Sequence, residues 1–221
     1  MLSHLVFDLD QTIYPRGSGL MQAIGDRIMQ YMIERMGMDP EIVPELRHRY
    51  WKQYGTTSRG LAARHELDVD EYMAYVHDVP LHEYIGPDPE LDAVLGGLPQ
   101  RKVIFTNATA AHAHAVLDVM KLAHHFEGVY DVYFCGNEGK PARKAYLRLL
   151  GTLDVSAENC LLVEDSVANL RPAQSLGMTT VLVDPARDVE LAGVDYVIPR
   201  VTDIAGVVQD LTNGSGSGRS R

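Results

Sequence analysis

Two aspartates one residue apart, Asp8 and Asp10, sit in a run Asp-Leu-Asp-Gln-Thr that ends at Thr12. Side chains alternate along an extended chain, so residues 8 and 10 point the same way and both can reach one substrate. Three further polar groups lie far away in sequence: Thr106-Asn107, Lys140 before Pro141, and Glu164-Asp165-Ser166. Carboxylates gathered at one place repel one another unless a cation sits among them. Oxygen ligands alone select a hard cation, and Mg2+ is the usual partner of one or two carboxylates plus a substrate phosphate. Lys140 would add positive charge beside a site that otherwise rejects a phosphate dianion.

For these groups to meet, the segments that carry them must be strands of one sheet. HLVFDL at 4–9, RKVIFTN at 101–107, CLLVED at 160–165 and TTVLVD at 179–184 are short apolar runs of buried-strand type. VYDVYFCG at 129–136 and DYVIP at 195–199 read as strands too. Between them lie helical patterns. Residues 109–121 place Ala113, Val116, Leu117 and Met120 on one face. A helix over 141–151 opens with Pro141 in its first turn, and one over 167–177 ends in glycine, with Pro172 expected to kink or delay it. Alternating strands and helices predict an α/β fold, a Rossmann-like parallel-sheet core covered on both faces. In such sheets ligands bind beyond the carboxyl ends of the strands, where the acidic groups and Lys140 would converge.

Residues 16–84 differ, having no strand-like run. Leu20, Ile24, Ile28 and Met32 recur at helical spacing, and 40–55 and 69–79 are also amphipathic. The expected organisation is an α/β core from 1–15 and 85–211, a small all-helical insert at 16–84 after the first strand, and a Gly/Ser/Arg tail at 212–221. No dinucleotide fingerprint or P-loop is present in the sequence.

The formal net charge of −10 argues against a nucleic-acid polymer or an anionic membrane as partner. No apolar run approaches the roughly 20 residues of a membrane span, and the N-terminus lacks the basic and apolar regions of a secretory signal. Cys135 and Cys160 have no metal-ligand spacing and read as buried thiols, which suits a reducing, cytoplasmic setting. Oligomeric state is left open between monomer and homodimer.

DLDQT, FTN, Lys140-Pro141 and VEDS resemble, in order and spacing, the four motifs of the haloacid dehalogenase superfamily. The resemblance implies a phosphatase passing through an aspartyl-phosphate. Asp8 would be the nucleophile. Asp10 would protonate the leaving oxygen and then deprotonate the hydrolytic water. The Asp8 carboxylate, the Asp10 carbonyl and Asp165 would hold Mg2+, with Glu164 ligating directly or through water. Thr106 and the neighbouring Asn107 amide would bind phosphoryl oxygens, and Lys140 would steady Asp8. The superfamily's dehalogenases lack an aspartate at the position of Asp10, so its presence points to phosphoryl chemistry. Where this chain has Glu164-Asp165, the family often has paired aspartates; a Glu-Asp pair also occurs in mutase-like members.

By the same resemblance, the insert is a cap over the site. DLDQTIYP, YWKQYGTTSRGL, VHDVPLHEYIGPDPEL and FTNATAAHAHAVL together look like the pyrimidine 5′-nucleotidase subgroup. The expected substrate is a small phosphorylated metabolite, foremost a pyrimidine nucleoside monophosphate. A sugar phosphomutase, a phosphoglycolate phosphatase and a non-catalytic binding protein are the alternatives. Arg59 is the expected substrate-binding residue of the insert, weighed equally against a solvated arginine in a glycine-bounded connection. Trp51 is expected in the insert's core rather than as a base-stacking platform, and His77, His82, His112 and His114 are expected in structural roles, the alternatives being a place lining the cap for His77 and His82 and an approach to the site by one of His112 and His114.

Overall fold

The computed structural model describes residues 1–136, 138–186 and 193–214. The chain divides into two compact units, one of Met1–Arg16 with Ile85–Arg221, the other Gly17–Tyr84.

The first unit is built on a six-stranded sheet. Its strands are β1 His4–Phe7, β2 Arg101–Phe105, β3 Gly128–Tyr130, β4 Cys160–Glu164, β5 Thr179–Val183 and β6 Tyr196–Ile198. All neighbouring strands pair in parallel, in the order β3-β2-β1-β4-β5-β6. Chain direction across the sheet reverses at β1, which lies between β2 and β4. Ligands of open α/β sheets bind at such a switch point. Residues 4 to 7 are all buried, as are 160 to 164, which a strand covered on both faces requires. On one face Val6, Phe105, Leu162 and Leu182 pack with Tyr146, Leu149 and Leu170. Phe105 and Tyr146 meet edge to face at 5.3 Å.

The second unit holds helices α1 Leu20–Glu34, α2 Val43–Tyr54, α3 Thr57–Arg64 and α4 Val69–Val76. Leu20, Ile24 and Met32 are buried on α1. Helices α2 and α3 approach closely at Gly60, where an added Cβ would collide with Cβ and Cγ of Tyr50. The first unit continues with α5 Pro89–Gly97, α6 Ala110–Met120, α7 Arg143–Leu153, α8 Val167–Ser175 and α9 Ile204–Thr212. No helix among the described residues is long and apolar enough to cross a membrane.

Several expectations are corrected. The strand expected over 129–136 stops at Tyr130, because Asp131 turns the chain: its carboxylate accepts from the amides of Ala110 and Phe134 at 3.0 and 2.8 Å. Pro141 is not in a first helical turn, since α7 starts at Arg143. Pro172 lies inside α8 without ending it. The segment after Tyr54 is not a bare connection: Thr56 caps α3 by accepting from the Arg59 amide, so Arg59 stands in that helix's first turn. Trp51 is 58% exposed rather than core, because the buried stripe of α2 runs through Val43, Leu46 and Tyr50. Helices α5 and α9 carry no counterpart in the sequence reading. Both cysteines are buried, and burial pushes the thiols up to about 11 for Cys135 and about 12 for Cys160.

Candidate active site

β1 ends at Phe7 and β4 at Glu164, so their adjacent carboxyl ends deliver Asp8 and Asp165 side by side. The Asp8 amide still donates to Val163 O at 2.9 Å, which pins the first residue beyond β1 to the neighbouring strand. β2, on the other side of β1, delivers Thr106 and Asn107.

Lys140 is the hub. It is 1% exposed, and its Nζ donates to Asp8 Oδ1 and to Glu164 Oε2, each at 2.6 Å. The Thr12 hydroxyl donates to the other Asp8 oxygen at 3.0 Å. Lys140 comes from a loop with no strand to hold it, and Asn107 supplies the hold. The Asn107 Nδ2 donates to Lys140 O at 2.9 Å, and Lys140 N–H donates to Asn107 Oδ1 at 2.7 Å. The Thr106 hydroxyl oxygen accepts from the Ala108 amide at 3.0 Å. Of the phosphoryl-binding pair expected from the sequence, Asn107 thus has its side chain committed to the lysine loop.

Asp8, Glu164 and Asp165 each present a carboxylate oxygen, all within 4.8 Å of one another. Burial, then the Glu164 charge, pushes Asp8 up to about 7 against the pull of Lys140. Burial likewise lifts Glu164 to about 7, with Lys140 opposing and Asp165 adding to the rise. Burial and Asp8 raise Asp165, with Arg16 opposing. For Lys140, burial works downward, but Asp8 and Glu164 overcome it and hold it above its ordinary value, so it stays an ammonium. The buried Asp8 and Glu164 share one ammonium, and the half-buried Asp165 meets the Arg16 guanidinium, so three carboxylates face two cations. An all-oxygen donor set with excess negative charge fits a divalent hard cation such as Mg2+.

Asp10 stands apart from that trio. Its Oδ1 accepts from the Tyr14 hydroxyl at 2.6 Å and lies 3.2 Å from His112 Nε2. Burial and the Asp10 carboxylate push the Tyr14 phenol far above its ordinary value, so it remains a donor. The sequence reading missed Tyr14 as a site residue; for His112 it favoured a structural role, with an approach to the site by His112 or His114 as the alternative. The signal for Tyr14 was its spacing, four residues after Asp10, which a tight turn brings back. Arg16 was also missed: its Nη2 donates to Asp165 O at 2.6 Å and Oδ2 at 3.1 Å. His114 is exposed on α6, and on the second unit His82 is exposed and His77 half-buried. Arg59 belongs to that second unit, half-buried on α3.

A doubly wound parallel sheet whose switch point carries aspartates around a buried lysine defines a class of α/β hydrolytic enzyme. The family model of haloacid dehalogenase-like hydrolases matches residues 2–177, and the chain belongs to that family. It is 26% identical over 194 residues to phosphate metabolism protein 8 of Saccharomyces cerevisiae, covering 80% of this chain and 60% of that one. The chain therefore spans about three fifths of that relative's length. Among solved structures it is similar to a HAD phosphatase from Thermococcus onnurineus, at 18% identity and a TM-score of 0.68, covering 94% of this chain and 98% of that one. It is also similar to a beta-phosphoglucomutase from Clostridium difficile, at 18% identity and a TM-score of 0.64, covering 97% and 99%. At these identities the structural likeness establishes the fold.

Proposed function

We propose that this protein is a phosphoric monoester hydrolase that takes a small soluble monophosphate through an Asp8 aspartyl-phosphate. The observation that carries this is the separation of two kinds of carboxylate. Asp8 belongs to the acidic trio beside Lys140, while Asp10 is held by Tyr14 and His112. A nucleophile and a proton carrier need that division.

Asp8 Oδ attacks phosphorus in line, and the P–O bond to the leaving group breaks. Asp10 gives its proton to the departing oxygen. It then takes a proton from water, whose oxygen attacks phosphorus, restoring the Asp8 carboxylate and releasing inorganic phosphate. Lys140 holds Asp8 in position and offsets charge on the transferring group. The Thr106 hydroxyl can donate a hydrogen bond to a phosphoryl oxygen. Asp8, Asp165 and the Asp10 carbonyl would hold Mg2+, with Glu164 supporting the set while it anchors Lys140. When bound, the ion supplies Lewis-acid stabilisation of phosphoryl charge.

Hydrolysing a phosphomonoester demands on the order of 20 kcal/mol or more of catalysis. Alignment by a positioned nucleophile can supply about 7–11 kcal/mol of it, and preorganised charge most of the rest.

The helical unit Gly17–Tyr84 would select the leaving group, with Arg59 as a donor to it. A pyrimidine nucleoside monophosphate is the leading substrate, from the resemblance of 8–15, 50–61, 76–91 and 105–117 to that nucleotidase subgroup.

The test is phosphate release measured across nucleoside monophosphates, sugar phosphates, phosphoglycolate and p-nitrophenyl phosphate. Asp8→Asn should abolish turnover with the fold retained, and EDTA should remove activity that Mg2+ restores. Wild-type-like turnover by Asp8→Asn, or full activity in metal-free buffer, refutes the mechanism. An isomerised sugar phosphate without phosphate release would establish a mutase instead.

A further inference from the structure

Away from the acidic trio, two imidazoles converge on one carboxylate. His125 Nε2 lies 2.8 Å and His124 Nε2 3.2 Å from the same oxygen, Asp92 Oδ1. The three potential ligand atoms all fall within 4.8 Å of one another. We infer that Asp92, His124 and His125 form a second cation site, one that takes a borderline divalent transition metal such as Zn2+ and ties α5 to the turn before β3.

The geometry is close to what such an ion needs. With bonds of about 2.0–2.1 Å, ligand atoms around a tetrahedral ion sit roughly 3.3 Å apart. The two nitrogen–oxygen gaps are slightly shorter, so an ion enters by a small opening of the cluster rather than a rearrangement. Consecutive residues usually send their side chains apart, but the 3-10 turn Ala123–His125 lays these two rings together, with centroids 3.9 Å apart.

Preorganisation is uneven in a useful way. The His125 side chain is only 10% exposed. It lies along α5 between Asp92 and Gly96, one helical turn apart, and a Cβ on Gly96 would sit 3.5 Å from its Cε1. His124 and Asp92 are 63% and 47% exposed, which gives an ion a route in and leaves its remaining positions to water. Three protein ligands with an open position is an accepted arrangement for zinc.

Two arguments separate this site from the acidic one. Helix α5 leads into β2 and the turn leads into β3, so the cluster lies toward the amino ends of the strands, opposite Asp8 and Asp165. The donors also differ: imidazole favours Zn2+, Co2+, Ni2+ or Cu2+, whereas an oxygen-only set favours Mg2+. An excess of Mg2+ should therefore leave the histidine site open to Co2+ or Zn2+.

The experiment titrates the full chain with Co2+ in excess Mg2+, following the visible d–d absorption of imidazole-bound cobalt, and then displaces it with Zn2+. Wild type and Asp8→Asn should each bind one equivalent at this site. His124→Ala and Asp92→Asn, both at exposed positions, should each weaken binding at least tenfold; outer-shell changes at metal sites already cost about 10–100-fold. Zn2+ should raise the Tm of wild type and not of His124→Ala. Identical titration curves for wild type and His124→Ala, loss of the signal in Asp8→Asn, or no cobalt bands in wild type would each overturn the site.

Discussion

Asn107 pairs with both sides of the Lys140 backbone, accepting from its N–H at 2.7 Å and donating to its C=O at 2.9 Å. This two-point contact sets the path of the loop that delivers the Lys140 ammonium to Asp8. It also explains Gly139, which has φ +57, a conformation other residues rarely adopt. A Cβ there would stand 2.5 Å from Asn107 Oδ1. Asn107→Ala and Gly139→Ala should therefore each lower kcat, by about 100-fold if the ammonium moves by 1 Å. The double variant should be little worse than either single one, because both break the same clamp. Additive losses in steady-state kinetics would show that the two residues act separately.

Tyr14 and His112 both address Asp10 Oδ1. On the proposed mechanism, in which Asp10 carries the proton, they would act by orienting it. Tyr14→Phe and His112→Asn should lower kcat by about tenfold or more while KM changes little, within the roughly 10²–10⁴-fold worth of general acid–base catalysis. The deficit should be smaller for p-nitrophenyl phosphate, whose leaving group needs less help from a proton. A rise in KM with kcat unchanged would move both residues to substrate binding.

His4 couples stability to pH. It is buried on β1, and burial, then the Arg101 charge, lowers its pKa from the ordinary value near 6.5. Its Nε2 finds no hydrogen-bond partner among the described residues. Between the lowered folded value and about 6.5 the unfolded chain binds more protons, so stability rises with pH across that window. The His4 contribution is complete above about 6.5 and is lost as pH falls toward the folded value. Urea unfolding of wild type and His4→Gln across this range should show a shallower pH slope for the variant. Equal slopes would remove His4 as a cause.

Gly60 lets α2 and α3 approach at the base of the Tyr50 side chain. Gly60→Ala gains helix propensity of about 1 kcal/mol, but overpacking of this kind costs about 1–3 kcal/mol. The net effect on the Gly17–Tyr84 unit should be destabilising, and Tyr50→Leu in the same background should not recover it, because leucine keeps the Cβ and Cγ that the added Cβ would meet. Thermal unfolding by circular dichroism decides this, and a raised Tm for Gly60→Ala alone would contradict the packing.

Strand existence was legible because buried parallel strands write themselves as unbroken apolar runs. Residues 5–7, 103–105 and 160–163 are cases in point. Their ends were less legible. Asp131 ends β3 with side-chain bonds to Ala110 and Phe134, one of them 21 residues away. Helix α3 hid behind a Gly-Thr-Thr run whose second residue, Thr56, serves as cap.

By itself, the order of residues determined the parallel sheet, the helical segment after its first strand, and which distant acids and lysine meet at one edge of the sheet. Short-range chemistry sufficed for that, since apolar periodicity and residue type act locally. Only the tertiary structure decided that Asn107 serves Lys140, that Tyr14 and His112 serve Asp10, and that Asp92 meets two histidines. Those pairings depend on side-chain directions set by packing between segments far apart in the chain, and no local pattern encodes a direction in space.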